Sequence, residues 1–143
     1  MSDSSGKTYQ DFKVWPGQAP IEHRADVDAA DSAAPTENSD WLKNHGRWPT
    51  ARVYVDISFT GGTDPTALLY AYVRNFDTTA RLGLLIQTDP SGTSTGTPFL
   101  VQLVEGTWVF DVPVDGDDLF VMVADIDGGP TATNIDIYVS WRP

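Results

Sequence analysis

Arg52-Val53-Tyr54-Val55-Asp56-Ile57-Ser58-Phe59 alternates without a fault, Val53, Val55, Ile57 and Phe59 falling on one side and Arg52, Tyr54, Asp56 and Ser58 on the other. A period of two over eight residues is the signature of a strand with one face buried and one face wet. Thr60-Gly61-Gly62-Thr63-Asp64-Pro65 breaks it. The same pattern returns at the far end of the chain, where Ile135, Ile137, Val139 and Trp141 face inward and Asn134, Asp136, Tyr138 and Ser140 face out.

Between these two strands the signals follow one another with little pause. Ala67 to Arg74 and Ala80 to Thr88 are apolar on both faces, as expected of central strands, and are joined by a polar turn around Asn75-Phe76-Asp77-Thr78. A long polar loop from Asp89 to Pro98 precedes Phe99 to Val104, Thr107 to Val112 and Leu119 to Asp125. Glu105-Gly106 reads as a tight hairpin. Seven runs bounded by Gly, Pro, Asp and Thr predict an all-β domain over residues 51–143, an antiparallel β-sandwich of jelly-roll or immunoglobulin-like kind. It is preceded by an extended N-terminal arm, residues 1–50.

Removing the arm from the 143 residues leaves about 93, enough for one sandwich core and too few for a second domain. The chain has no cysteine, which excludes disulfides, thiolate zinc sites and a cysteine nucleophile. The opening Met-Ser-Asp-Ser-Ser-Gly has neither a basic nor an apolar leader segment, so synthesis in the cytosol is expected. The net charge is −11; residues 1–51 hold five basic against eight acidic groups, and residues 52–143 four against twelve. Such a surface repels phosphate backbones and anionic lipid, which argues against nucleic-acid and membrane partners.

The arm has no sustained periodicity up to Asn38 and is punctuated by Pro16, Pro20 and Pro35, so an extended course is expected. Against this polar background Tyr9, Phe12, Val14, Trp15 and Ile21 stand out, since burying each supplies about 1.5–3 kcal/mol. They read as anchors, with Trp15-Pro16-Gly17 a turn that presents an indole. The competing reading folds them back to cover an edge of their own sheet. Ser39 to Gly46 carries the marks of a two-turn helix over residues 39–45: Ser39 or Asp40 as cap, Lys43 and His45 near the negative end, Gly46 after it. Trp41, Leu42 and Trp48-Pro49 are expected to plug one end of the sandwich.

Chemistry-bearing patterns are sparse. Asp115-Gly116-Asp117-Asp118 and Asp125-Ile126-Asp127-Gly128-Gly129 could attract calcium, but the helix-loop-helix pattern fails, with Gly129 and Pro130 at its fifth and sixth places. Ordinary turn chemistry accounts for these residues. His23 and His45 lie in the arm at no zinc spacing and read as surface or capping groups; the β domain has no histidine, so no Ser-His-Asp set can be drawn there. The chain is therefore read as a non-enzyme with no cofactor and no metal. Tyr54, Tyr70, Tyr72 and Tyr138 could form a sugar-stacking face, or pair within the sheets. A carbohydrate- or receptor-binding module of a phage tail or cell surface is thus the alternative function.

The long arm from Lys7 to about Pro35, the acidic cysteine-free β domain, the Thr/Gly/Asp-rich loops and the lack of lysine after Lys43 together resemble tailed-bacteriophage head decoration, or cement, proteins. The resemblance is one of organisation and not of motif. It implies a structural protein on the capsid exterior, commonly a homotrimer, whose arm binds the major capsid protein and whose β domain projects. The partner-binding residues it implies are Tyr9, Phe12, Trp15 and Ile21 as anchors, with Lys13 and Arg24 pairing with acidic groups of the shell.

Overall fold

A computed structural model describes residues 18–28, 34–75, 80–88 and 95–143. The chain is an antiparallel β-sandwich of ten strands: β1 (Ile21–Val27), β2 (Thr50–Thr60), β3 (Thr66–Arg74), β4 (Ala80–Gly83), β5 (Ile86–Gln87), β6 (Thr95–Thr97), β7 (Leu100–Leu103), β8 (Gly106–Pro113), β9 (Asp118–Asp127) and β10 (Ala132–Arg142). One sheet has the order β1-β10-β2-β8-β5. In the other, β9 pairs along the whole of β3, and β7 and β4 share the opposite edge of β3, with β6 beyond β7.

The two alternating strands lie side by side in the first sheet, in unbroken register from Ala132↔Thr60 to Arg142↔Thr50. Ile135, Ile137, Val139 and Trp141 are buried against Val53, Val55 and Ile57 as the period of two requires, and Phe59 packs at the margin. From the facing sheet come Leu69, Ala71, Val73, Leu103, Val121 and Val123, and from β8 Phe110, fully buried. The core is therefore a β-branched and aliphatic layer between two sheets.

Three local expectations are corrected. The run Ala80 to Thr88 is not one central strand; it is two short edge strands in different sheets, β4 on β3 and β5 on β8. The chain changes sheet at Leu84-Leu85, and the Leu85 N–H donates to the Pro98 carbonyl at 2.7 Å. Likewise Glu105-Gly106 is not a hairpin: β7 pairs with β3 and β6, whereas β8 pairs with β2 and β5, so these two residues carry the chain between layers. The helix expected over 39–45 is a single 3-10 turn, Asn38–Asp40. The Asp40 carboxylate accepts the N–H groups of Thr36 and Glu37, each at 2.9 Å, which hold its pKa below the usual value. Leu42 then pairs its backbone with Leu119, an alternative to the next helical turn.

Gly83 marks the sheet crossing. A Cβ there would sit 2.8 Å from Val73 Cγ2 and 2.9 Å from Val112 Cγ1, both on fully buried side chains. Gly83→Ala is therefore expected to cost about 2 kcal/mol by overpacking. Urea unfolding checks this; an unchanged midpoint would show that the crossing has slack.

Candidate functional site

Residues 21–27 lie within the arm as read from sequence, yet they form β1, hydrogen-bonded to β10 with Ile21 opposite Val139 and Val27 opposite Ile135. The register shifts twice, between Glu22 and Arg24 and between Arg24 and Val27. Asp26 takes a left-handed φ of 53°, and its N–H donates to Asp136 Oδ1 at 3.0 Å. These bulges let Val27 enter the main core, where it is 2% exposed. They also turn His23 and Arg24 toward the free edge of β9. His23 Nε2 accepts the Val121 N–H at 3.1 Å, and Arg24 Nη1 donates to the Val121 carbonyl at 3.2 Å. Two side chains thus replace a missing strand on that edge.

Leu42 closes the next position of the same edge, its N–H donating to the Leu119 carbonyl at 2.9 Å and its carbonyl accepting the Leu119 N–H at 3.1 Å. On the outer face of this sheet Trp41, Phe120 and Met122 form a second buried cluster with Tyr70 and Tyr72 packed against it. The Arg24 guanidinium lies 4.9 Å from the Phe120 ring centroid, and the His23 ring meets Phe120 edge-on at 5.5 Å. Burial first, and then the Arg24 charge, lower the His23 pKa from 6.5 to about 4. The histidine is a neutral acceptor in a seam, not the surface group expected.

Tyr9, Phe12, Lys13 and Trp15 lie outside the described residues. Ile21 is 41% exposed on the edge strand, and Arg24 is engaged with Phe120 and Val121. Gln18 is held on the last strand: its N–H donates to the Trp141 carbonyl at 2.9 Å and its carbonyl accepts the Ser140 hydroxyl. This covers Ser140, which is fully buried although its register position faces outward. Trp41 belongs to the outer cluster and does not plug the sandwich end; Leu42 and Trp48 pack against the main core.

The four tyrosines do not share a face. Tyr54 and Tyr138 stand directly opposite each other on the outer side of the first sheet, with Arg142 Nη2 donating to the Tyr54 hydroxyl at 3.2 Å. Tyr70 and Tyr72 meet at 5.3 Å on the outside of the second sheet, and burial, then Tyr72, pushes the Tyr70 hydroxyl up to about 12. A single platform of four rings is therefore overturned by the topology.

A concavity lies at the end of the sandwich where β2 begins and where β8 and β10 finish. It has a volume of about 600 Å³, and Asn38, Lys43, Arg74, Asp115, Gly116 and Asp117 are among the residues that line it. Asn44, 2% exposed, ties together the segments beside it: its side-chain NH2 donates to the Trp48 and Asp117 carbonyls at 2.8 and 3.1 Å, and its Oδ1 accepts the Trp48 N–H at 2.9 Å. Its own N–H donates to Asp118 Oδ1 at 2.9 Å. Asn44→Ala takes away the side-chain partner of the Trp48 N–H and of the Asp117 carbonyl, while the Trp48 carbonyl keeps the Gly116 N–H at 2.9 Å; it is expected to cost about 2 kcal/mol, a loss that thermal denaturation reads directly. The long-range half of this clamp leaves no trace in sequence, because Asp117 and Asp118 lie more than seventy residues away.

Among the described residues no group of three His, Asp or Glu side chains is placed to hold a metal ion. Two aspartates of the turns have other partners: Asp117 pairs with Arg81 at 3.5 Å, and Asp118 accepts from the Asn44 N–H. Comparison with protein-family models, with curated proteins and with solved structures finds no match to this chain.

Proposed function

We propose that this chain is a non-enzymatic accessory protein of a tailed-phage head, bound to the major capsid protein through residues 1–17 and carrying its sandwich outward as a passive body. The supporting observation is the composition of residues 1–17 together with the fixing of Gln18. The polar stretch carries Tyr9, Phe12, Val14 and Trp15, and Gln18, which follows it in sequence, is tied to the last strand by two hydrogen bonds. A run of large apolar side chains ahead of a defined mooring suits a tether, because each anchor buried on a shell adds to the hold of the next. Clustering of several copies at a symmetry axis of the shell, as a trimer, would multiply that hold.

The experiment is co-sedimentation of the purified chain with expanded capsid shells. The full chain should pellet in saturable fashion, and a chain lacking residues 1–17 should stay in the supernatant while keeping its β circular-dichroism spectrum. Retained binding by the truncated chain ends the proposal. The cut belongs before Gln18, since residues 21–27 are part of the sheet.

A further inference from the structure

The cleft at the sandwich end holds two cations that share one neutral oxygen. Lys43 Nζ donates to Asn38 Oδ1 at 3.0 Å, and Arg74 Nη2 donates to the same atom. Lys43 also reaches the Asn38 carbonyl. Arg74 is 9% exposed, its guanidinium stacked 4.4 Å over the Trp41 ring, and its Nε has no acceptor among the described residues. A buried guanidinium is ordinarily matched by a carboxylate, because an amide oxygen carries only part of the compensating charge. Asp118 stands opposite Arg74 in register, but its Oδ1 is turned to the Asn44 N–H, and Asp117 is paired with Arg81.

We infer that this cleft is a binding site for a single carboxylate group, held between Lys43 and Arg74 beside the Asn38 side-chain amide. The planar guanidinium and the ammonium supply convergent donors of the kind that bind a carboxylate. The acidic lining decides how much charge the site accepts. Asp115, Asp117 and Asp118, which line the same cleft, repel a dianionic phosphate or a polyanion more strongly than a group with one negative charge. The carboxylate comes from an acidic side chain of a partner protein or from a small free acid. The inference does not depend on the capsid reading, since it concerns the isolated chain.

The test is a titration of the full-length, isotope-labelled chain by NMR at constant ionic strength, with acetate, N-acetylglutamate amide and inorganic phosphate as separate probes. Either carboxylate should produce saturable shifts at the Asn38 side-chain amide, the Arg74 Nε–H and the Lys43 amide, with phosphate several-fold weaker. A capped glutamate that binds more tightly than acetate assigns the site to a protein side chain, and equal binding assigns it to a small acid; both support the site. Asn38→Asp places a carboxylate of the chain's own between the cations and should weaken acetate binding by about tenfold or more. Lys43→Ala should weaken it without disturbing the Trp41 stack. Shifts that never saturate, phosphate binding as tightly as acetate, or unchanged binding in both variants would overturn the assignment.

Discussion

A chain beginning at residue 29 should lose about 4 kcal/mol of stability relative to the full protein and should self-associate, whereas a chain beginning at Gln18 should keep its melting temperature within a few degrees. The loss follows from what β1 contributes. Val27 leaves the core, which alone costs about 1.5–3 kcal/mol. The ladder to β10 and the two side-chain bonds to Val121 disappear, each worth about 0.5–1.5 kcal/mol. Relief of the conformational entropy held in the strand offsets part of that sum. For a domain of this size the remainder lowers the melting temperature by roughly 10–20 °C. Self-association follows because β10, eleven residues long, becomes an open edge along its whole length. Differential scanning calorimetry and light scattering on the two truncations check both effects. Equal melting temperatures would mean that β1 only decorates the sheet.

The second large effect is on acidification. His23 serves as an acceptor, and only the neutral imidazole can accept the Val121 N–H through Nε2. Protonation would set two donors against each other, beside the Arg24 charge. The folded pKa, about 4, lies below the unfolded value of 6.5. The unfolded chain therefore takes up this proton first as the pH falls. The contribution is intact above pH 6.5, declines between 6.5 and 4, and is flat below; its full size is about 3 kcal/mol. Among the other groups near the seam, Asp40 has a lowered pKa and loses its own contribution only below its unfolded value of 3.8, outside most of that window. His23→Gln keeps an acceptor at a similar reach without the titration. It should flatten the stability profile between pH 6.5 and 4 as followed by urea unfolding, and the same slope in both proteins would remove the histidine from the account.

What could be read from sequence follows from where the period of two survives. Arg52 to Phe59 and Thr133 to Trp141 keep it without interruption, so their faces and inward residues are legible, and with them the sandwich. Ile21 to Val27 loses it to two bulges, which put His23 and Arg24 at the same free edge and leave no alternating pattern to find. The failures at Ala80–Thr88 and Glu105-Gly106 share another cause. Turn chemistry reveals that a chain bends, but not which layer receives the next strand; at Gly83 that choice is set by the side chains of Val73 and Val112. The cleft was hidden for a similar reason. Asn38 and Arg74 are separated by 36 positions and meet only because the turn of residues 38–40 lies across the end of β3. The aspartates near it drew attention to a cation, whereas the geometry favours an anion.

The junction at Gln18 also sets how the molecule carries a load. β1 runs antiparallel to the last strand, and Gln18 lies at the end where that strand finishes. Tension on the N-terminus, drawn along the strand against a body dragged from its far end, is spread across the β1–β10 hydrogen bonds in shear instead of parting them one by one. Bonds loaded in that way yield to sideways peeling long before they yield to a straight pull.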